Sequence, residues 1–461
     1  MEPAVQNNAK LRFAVISDTQ LGDDSNGAVP EQLEEKLRSA LTILRKDYFE
    51  VSGLDAIVVA GDLSQNGRVA EFEAFARIFR EVFPESDFNL KGDVNPLATL
   101  KALYIKGNHD NYGDGSANYF NTLAPGGDYR GGDGNYLADV NGYKFVMLSQ
   151  PSTINSGNLY DRASQAFVKA AMVQTAAADP GGDKPIFVVT HPHLYGTVYG
   201  SEPTDLENSD WATRDIKPYL DGYRQTIAFS GHSHYPISDE RSIDQGEFTA
   251  LGTGAIAYVD NERGYSESPD SARYVSKWKE SVGYYVEVDS ANTTTITRLD
   301  FARHQVIKEP WVVKPPSDPG WLRYSKGRDK GAPVFSADAK VELLELQPTS
   351  VRVRFEQATD AESDVHHYKL SINETSSGVE VLNRVFFSHY FNLAEMPKIL
   401  TWGSDERDEG ASADMDGELV PGTEYEVGVI AYDSFSNASE PLRASFITPP
   451  RSPELPSTDF G

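Results

Sequence analysis

The sequence predicts an α/β domain followed by an all-β sandwich domain, and three observations lead to this fold class. From Leu11 onward, short apolar runs typical of buried strands alternate with amphipathic helical patterns. Five of these runs stop abruptly before Asp, Asn or His. From about Phe335 the helical patterns disappear and short alternating strands take their place. The 461 residues are enough for more than one domain.

The five apolar runs carry polar residues at their carboxyl ends. The segments are Phe13 to Gln20, Ala56 to Asp62, Leu103 to Asp110, Ile186 to His193 and Ile227 to His234. The residues suited to bind a divalent metal are Asp18, Asp62, Asn108, His191, His232 and His234. Because the carboxyl ends of strands in open α/β sheets line the ligand crevice, we expect these side chains to meet at one edge. Oxygen and imidazole donors together predict a metal-dependent hydrolase with two metal ions.

Amphipathic helices are predicted between these strands. Apolar residues at helical spacing predict helices at 31–49, 69–83 and 161–178. Asp161 is a suitable N-cap for the third helix, because its carboxylate can accept a hydrogen bond from a free backbone N–H. We interpret the apolar stripes as core-facing surfaces.

Further strands and loops are predicted around the same domain. Strand-like runs occur at 248–251, 255–259, 284–288 and 294–299. We expect these runs to complete a second sheet. Irregular segments at 111–141 and 194–210 are predicted to be surface loops that shape a substrate pocket.

The charge of the chain disfavours polyanionic partners. There are 42 Lys and Arg against 69 Asp and Glu, which gives a formal net charge of −27. Sequence-independent binding to a nucleic-acid backbone needs clustered basic residues, so nucleic acid is not the expected partner. An anionic membrane surface is disfavoured for the same reason.

Cysteine content and hydropathy bear on the compartment. The chain has no cysteine, which excludes disulfides and zinc–thiolate sites. No apolar run approaches the ~18 to 20 residues of a transmembrane helix. No signal peptide is visible at the start of the sequence. Acidic, cysteine-free chains are common among exported bacterial proteins, which favours a periplasmic or cell-surface location, with the cytoplasm as the alternative.

Shifts in composition predict the domain boundaries. The expected organisation is a flexible N-terminus at 1–10, a catalytic domain at 11–308, a linker at 309–334, a β-sandwich at 335–450 and a flexible C-terminus at 451–461. The linker is predicted from its high content of Pro, Gly, Trp and Lys. Sandwich strands are expected at 341–346, 351–355, 367–372, 424–432 and 444–448. The long segment 385–418 predicts an insertion, with an acidic solvated loop at 405–418.

The C-terminal strands carry a resemblance of their own. The stretch from Leu419 to Asp433, followed by Ser-Phe-Ser-Asn, resembles a fibronectin type III domain. Tyr425 lies where such sandwiches place a corner tyrosine. The resemblance leaves open a carbohydrate or cell-surface partner, or a purely structural accessory role.

The five motifs of the first domain occur in a specific order. They are Asp18-x-Gln20, Gly61-Asp62, Gly107-Asn-His-Asp110, His191 and Gly231-His-x-His234. This order resembles the calcineurin-like metallophosphoesterases over roughly Leu11 to Phe301. The resemblance implies an α/β/β/α sandwich, in which two mixed sheets are flanked by helices, and a dinuclear metal centre.

The resemblance also implies a ligand set. Asp62 would bridge two divalent or mixed-valence ions, which the mixed oxygen and nitrogen donors would select from Mn, Fe, Zn, Ni or Co. Asp18, Gln20 and His234 would complete one metal site. Asn108, His191 and His232 would complete the other. Gln20 stands where many members have His, so the first ion is expected to bind more loosely or to be harder.

Two further groups of residues are expected in the site. By the same resemblance, His109 is the proton donor or transition-state stabiliser, and Asp110 is its orienting partner. Candidate substrate contacts are His193, Asn66, Asn111 and Tyr112. His193 has a structural alternative, as a hydrogen-bonded buried histidine, and the other three have a loop role as theirs.

The expected function is hydrolysis of a small-molecule or lipid phosphoester by a metal-activated hydroxide. A phosphodiester is favoured, because the motif from Gly61 to Gly67 looks like that of cyclic-nucleotide and phospholipid diesterases of the family. A phosphomonoesterase and a nuclease are alternatives, and the negative charge disfavours the nuclease. The remaining alternative is a non-enzymatic, metal-bound scaffold or adhesion protein.

Overall fold

The structure is a computed structural model that describes residues 8–22, 29–88, 98–113, 129–130, 134–151, 159–202, 212–260, 279–388, 399–403 and 419–451. The chain divides into two compact units, and the boundary between the described parts lies between Arg328 and Asp329. The first unit combines helices with two large sheets, and the described part of the second contains strands alone. The fold class predicted from the sequence is confirmed.

The strands of the first unit are β1 (Leu11–Ile16), β2 (Ala56–Val59), β3 (Lys101–Tyr104), β4 (Tyr129–Arg130), β5 (Tyr136–Val140), β6 (Tyr143–Met147), β7 (Ile186–Thr190), β8 (His193–Leu194), β9 (Ala212–Thr213), β10 (Thr226–Ser230), β11 (Ile243–Gln245), β12 (Thr249–Gly252), β13 (Val282–Val288), β14 (Thr294–Asp300), β15 (Gln305–Val306) and β16 (Trp311–Val313). The helices are α1 (Pro30–Ile43), α2 (Glu50–Ser52), α3 (Val69–Val82) and α4 (Arg162–Ala177), with a π-helical segment, Leu44–Phe49, after α1. Among the described residues, no helix combines the length and apolar character needed to cross a membrane.

Two seven-stranded sheets form the centre of the first unit. The first has the order β15-β14-β13-β1-β2-β3, with β16 paired to β14, and the second has the order β11-β12-β10-β7-β6-β5-β4. Strands β1, β2 and β3 are parallel to one another, as are β6, β7, β10 and β12. The five strands predicted to carry site residues are therefore parallel, three in one sheet and two in the other.

An aromatic layer holds the two sheets face to face. The ring of Phe13 on β1 lies 5.1 Å from Phe145, 4.8 Å from Phe187 and 6.0 Å from Phe229, which belong to the second sheet. Edge-to-face contacts of this kind stabilise a core beyond simple area burial. The sheets thus pack as the two inner layers of the predicted sandwich.

Helices cover the outer face of each sheet. Helices α1 and α3 bury their apolar residues against the first sheet, and α4 packs against the second. Pro30 begins α1 at a position where its missing N–H costs nothing. Asp161 caps α4 as predicted, since its carboxylate accepts a hydrogen bond of 2.7 Å from Ser164 N.

Four predicted segments fold differently from expectation. The runs 284–288 and 294–299 form β13 and β14 of the first sheet, because β13 pairs antiparallel with β1. The run 255–259 forms no strand, since Gly254 has a φ of 64° and the chain turns there. Residues 309–328, part of the predicted linker, lie within the first unit and supply β16, in which Trp311 is buried.

The second unit is a β-sandwich. Its strands are β17 (Val341–Leu344), β18 (Arg352–Glu356), β19 (Val365–Glu374), β20 (Glu380–Phe387), β21 (Ile399–Gly403), β22 (Glu424–Asp433) and β23 (Leu442–Ile447). Sheets of order β17-β18-β21 and β20-β19-β22-β23 enclose one apolar core. Tyr425 is buried and its hydroxyl accepts a hydrogen bond of 2.8 Å from Val420 N, the contact expected of a corner tyrosine.

Candidate metal centre

The predicted ligands lie at the carboxyl ends of strands from both sheets. Asp18 and Gln20 follow β1, Asp62 follows β2, and Asn108 follows β3. His191 follows β7, and the pair His232 and His234 follows β10. The single edge expected from the sequence is therefore a meeting point of two sheets, which brings carboxylates and amides from the first towards imidazoles from the second.

Five of these residues have a left-handed backbone conformation, which residues other than glycine rarely adopt. They are Asp18 (φ 51°), Gln20 (φ 44°), Asp62 (φ 52°), His232 (φ 74°) and His234 (φ 57°). Such a conformation costs roughly 1–2 kcal/mol per residue and persists only where the surroundings enforce it. Its clustering at strand ends marks a functional site, because the turn aims each side chain back over the end of the sheet.

Two glycines of the motifs make room for the carboxylates. A Cβ at Gly107 would lie 2.1 Å from Asp62 Oδ1, and one at Gly231 would lie 2.4 Å from Asp18 Oδ2. No side chain fits at such distances. Glycine is therefore required at both positions by the close approach of the Asp side chains.

The donor atoms converge on His191 and His234. His191 Nε2 lies 3.1 Å from Asp62 Oδ2, 3.1 Å from Asn108 Oδ1 and 4.0 Å from Asp18 Oδ1. His234 Nε2 lies 3.1 Å from Asp18 Oδ1 and 3.3 Å from Gln20 Nε2. The donor atoms of Asp62, His191 and His232 all lie within 4.8 Å of one another. One cation can be reached by several of these atoms at once.

The electrostatics of the cluster also favour a cation. Burial alone would lower the pKa of His191, but the carboxylates of Asp62 and Asp18 outweigh it and raise that pKa to about 9. His232 is neutral, because burial and then the charge of His191 lower its pKa to about 3. Despite its burial, Asp18 keeps a lowered pKa because His234 and His191 stabilise its carboxylate. The carboxylates of Asp18 and Asp62 thus give the centre a negative potential, which stabilises a proton on His191 or a metal ion in its place.

Hydrogen bonds to the backbone orient the histidine rings. His191 Nδ1 lies 2.9 Å from Ala60 O, and His234 Nδ1 lies 3.2 Å from Tyr258 O. A donor at Nδ1 leaves Nε2 of each ring free to act as a ligand, an arrangement typical of metal sites.

The sequence did not indicate a role for Ser17, whose hydroxyl donates to Asp18 Oδ2 and fixes that carboxylate. Its position next to Asp18 in the motif was the available signal.

The buried side-chain oxygen of Gln20 indicates that the residues of the centre fit a metal ion. Gln20 is 2 % exposed, and its Oε1 accepts no hydrogen bond from any described residue. A buried carbonyl oxygen without a partner is costly, and a cation would satisfy it. Carboxylate, amide and imidazole donors together fit a divalent transition metal.

His109 and Asp110 do not form the predicted pair. His109 Nδ1 lies 2.8 Å from Gln65 O instead. The buried Asp110 carboxylate accepts hydrogen bonds from Ser64 N (2.9 Å), Ser64 Oγ (2.8 Å) and Gly107 N (2.9 Å). Burial and then the charge of Asp62 raise the pKa of Asp110 to about 6. His109 and Asp110 are adjacent on a short 3₁₀ turn, His109–Asn111, where neighbouring side chains point apart. Asp110 therefore fixes the loops around His109 and does not orient its ring.

Of the four predicted substrate contacts, three are engaged internally. His193 is buried, with ring nitrogens 2.7 Å from Ser230 Oγ and 2.7 Å from Ser233 Oγ, so its structural alternative is the one observed. The Asn66 amide donates to Glu71 at the start of α3. The Asn111 amide donates to the carbonyl oxygens of Gly107 and Gln150.

Tyr112 differs from the other three candidates because its side chain is exposed. It is 63 % exposed, and its hydroxyl accepts a hydrogen bond of 2.8 Å from Asn108 Nδ2. Its ring centroid lies 4.8 Å from that of His109. Of the two predicted pocket loops, 114–128, 131–133 and 203–210 lie outside the described residues, as do 389–398 and 404–418 of the predicted insertion.

Comparisons with known proteins give a family match over part of the first unit and likenesses to solved structures. Residues 11–236 match the family model of the calcineurin-like phosphoesterases. No curated protein matches the chain. A purple acid phosphatase from yellow lupin (Lupinus luteus) seeds is similar in structure, with 12 % identity, a TM-score of 0.44 and coverage of 66 % of this chain and 53 % of its own. The fn3 domain of the human collagen α-1(XX) chain matches with 13 % identity, a TM-score of 0.19 and coverage of 29 % and 99 %. This chain thus spans about half the length of the lupin structure.

Proposed function

We propose, on the premise that residues 11–236 form a calcineurin-like phosphoesterase domain, that the protein hydrolyses a small-molecule or lipid phosphodiester at a dinuclear metal centre. The observation that carries this proposal is the convergence of Asp62, His191 and His232 within 4.8 Å. Asp18, Gln20, Asn108 and His234 surround that group at the distances given above. A scaffold protein has no need for so complete a set of ligands.

We assign the ligands to two ions. Asp62 would be a ligand shared by both ions. Asp18, Gln20 and His234 would hold one ion, and Asn108, His191 and His232 would hold the other. When bound, the ions would lower the pKa of a water molecule and neutralise charge on the phosphoryl oxygens. Gln20 offers a neutral amide oxygen, so the first site would bind its ion less tightly than a site with an imidazole at this position.

His109 is the proposed proton donor to the leaving oxygen. Its Nδ1 is held by Gln65 O, so Nε2 is the atom left to face a substrate. Its backbone N donates to Asp62 Oδ1 at 3.0 Å, which ties the backbone of His109 to the proposed shared ligand. A positioned acid of this kind contributes typically 10²–10⁴-fold in rate.

The motif from Gly61 to Gly67 positions the proposed acid through its contacts. Ser64 anchors Asp110, and Gln65 holds His109. An alkoxide leaving group needs such an acid in a diester and in a monoester alike, so the preference for a diester rests on charge. A diester carries less negative charge than a monoester, which suits a protein with a net charge of −27.

The test is hydrolysis of bis-p-nitrophenyl phosphate and p-nitrophenyl phosphate by metal-stripped protein, with Mn, Fe, Zn, Ni or Co added back. We expect metal-restored turnover, with the diester faster than the monoester. Faster monoester hydrolysis would move the assignment to a phosphatase. No turnover of either ester with any metal would contradict the enzyme proposal.

A pair of variants ties the activity to this centre. His232→Ala should lower metal-restored turnover by at least ~10²-fold, because it removes a ligand. His304→Ala, a half-exposed histidine that contacts Asp47, is the matched control and should keep full turnover. Equal activity in both variants would indicate that hydrolysis does not occur at the candidate metal centre.

A further inference from the structure

One half of the candidate metal centre spans the gap between the two sheets. Asn108 follows β3 of the first sheet and His191 follows β7 of the second, and Asn108 Oδ1 lies 3.1 Å from His191 Nε2. Because β3 and β7 belong to different sheets, the hydrogen bonds of the strand ladders do not fix this separation. Other contacts must therefore hold Asn108 beside His191.

The backbone just before Asn108 is attached to the end of β6. Lys106 N donates to Ser149 Oγ at 3.1 Å, and Gln150 N donates to Lys106 O at 3.0 Å. β6 pairs with β7 in parallel, so residues 149–150 lie one strand away from the strand end that carries His191. Gly107 follows Lys106, and because glycine has the greatest backbone freedom, these two bonds alone do not fix the position of Asn108.

The side chain of Asn111 supplies the missing link. Its Nδ2 donates to Gly107 O and to Gln150 O, each at 3.0 Å, so one amide ties the backbone after Lys106 to the end of β6. Its Oδ1 accepts no hydrogen bond from any described residue, so the donor half of the amide is what holds this side chain. Neither a carboxylate nor an apolar side chain can donate to two carbonyl oxygens in this way.

The local turn places Asn111 and Asn108 on one face. Residues 109–111 form a 3₁₀ turn, in which side chains three positions apart lie above one another. Asn111 N also donates to Asn108 O at 3.0 Å. From this face Asn108 reaches the end of β7 and Asn111 reaches the end of β6. Asp110 anchors the same turn to the first sheet through Ser64.

We propose that Asn111 is a positioning residue for the ion site of Asn108, His191 and His232, an inference that rests on the proposed dinuclear centre. Its two hydrogen bonds hold Asn108, from the first sheet, within reach of the ion that His191, from the second sheet, would bind. Residues that orient metal ligands typically contribute 10- to 100-fold to metal affinity.

The proposed site of Asp18, Gln20 and His234 has supports of its own. Ala257 N donates to Asp18 O at 3.0 Å, and His234 Nδ1 lies 3.2 Å from Tyr258 O. Neither contact involves residues 107–111 or the end of β6. Loss of the Asn111 amide should therefore weaken the binding of one ion and spare the other.

Titration with Co²⁺, followed by its visible absorption, can measure each site separately. A His234→Ala background removes a ligand of one site and leaves that of Asn108 and His191, whereas a His232→Ala background does the reverse. In the first background Asn111→Leu should weaken Co²⁺ binding about 10- to 100-fold. In the second background it should change the affinity by less than about 2-fold, as expected for independent sites.

Two further variants secure the test. Asn111→Ala leaves space for water to satisfy the two carbonyl oxygens, so it replaces Asn111→Leu where that variant does not fold. Asn383→Leu removes an exposed amide from the β-sandwich unit and is the matched control, which should bind Co²⁺ like each background. Equal loss in both backgrounds, or no loss in either, would overturn the inference and leave the proposed enzyme untouched. No Co²⁺ binding by the parent chain would contradict the dinuclear centre and the inference with it.

Discussion

At the scale of single residues, the amide of Asn108 shows how a neighbour can decide a ligand's chemistry. An amide presents either its oxygen or its nitrogen, and only the oxygen binds a metal. Tyr112 accepts the Nδ2 hydrogen bond of Asn108, while Oδ1 lies 3.1 Å from His191 Nε2. The tyrosine hydroxyl therefore selects the orientation that points the oxygen into the centre.

Removal of that hydroxyl should weaken metal binding. Tyr112→Phe keeps the ring but frees the Asn108 amide to rotate, so we expect metal affinity to fall about 10- to 100-fold, as for other residues that orient ligands. Competition with a chromogenic chelator measures this directly. Tyr223→Phe, which changes a half-buried tyrosine elsewhere, is the control. Equal affinities would show that the Asn108 orientation has another cause.

Asp244 provides a prediction on pH and stability. Burial raises the pKa of this carboxyl to about 6, against about 3.9 in an unfolded chain. The folded state then holds the proton more tightly, so stability is lost as pH rises from about 4 to about 6. Asp244→Asn should thus be more stable than the parent at pH 8, by on the order of 2 kcal/mol, and by roughly half as much at pH 5.

Urea unfolding at the two pH values checks this prediction. The exposed Asp338→Asn should show the same stability difference from the parent at both pH values. A gain of Asp244→Asn that is as large at pH 5 as at pH 8 would speak against titration of Asp244.

Single residues also show how much of the candidate site the sequence could predict. The convergence of the candidate ligands was predictable, because each of them follows a strand and strand ends converge. The contacts of His109 and Asp110 were not, since adjacency in sequence does not tell which way two side chains of a helical turn point. The same limit applies to His193 and Asn111, whose partners Ser230 and Gln150 are distant in sequence.

At the scale of elements, one loop connects α1 to the candidate metal centre. The segment after Gly254 donates Ile256 N to Ser17 O and Ala257 N to Asp18 O, and Tyr258 O receives His234 Nδ1. Lys36 of α1 holds this loop, because its ammonium donates to Ala257 O and to Glu280 O. A helix on the outer face thus supports candidate ligands at the end of the sheet.

Loss of the Lys36 ammonium should affect both stability and metal binding. Lys36→Met removes the donor that Lys36 supplies to two backbone carbonyls, which should cost about 1–3 kcal/mol of folding stability. Because the loop contacts Asp18 and His234, metal affinity should fall as well. Urea unfolding and chelator competition measure the two effects. Lys46→Met, at an exposed position just after α1, should change neither, and a stability loss without a metal effect would separate the loop from the centre.

The loop also explains why the element predictions were uneven. Parallel strands and amphipathic helices follow from local periodicity, and these were correct in type. The run 255–259 has the same apolar composition, yet Gly254 turns the chain and the loop hydrogen-bonds to β1's carboxyl end. Membership of β13 and β14 in the first sheet depends on a pairing with β1 more than 250 residues away, which periodicity does not encode.

At the scale of the whole molecule, net charge sets the approach of substrate. A charge of −27 repels anions, and salt screens that repulsion over a Debye length of about 10 Å at 0.1 M. We expect kcat/KM for p-nitrophenyl phosphate, a dianion, to rise severalfold between 20 and ~300 mM NaCl. The monoanionic diester should show a smaller rise. Equal salt dependence for both esters would indicate that the local field of the centre dominates.

The left-handed ligand residues also bear on how this protein can evolve. Glycine or asparagine at Asp18, Asp62 or His232 would relieve backbone strain, so many substitutions that destroy the centre should make the metal-free chain easier to fold. Selection for thermal stability alone would therefore drift towards inert variants. A screen for improved forms of this protein needs metal present and a catalytic readout, since only then does the strained backbone confer an advantage.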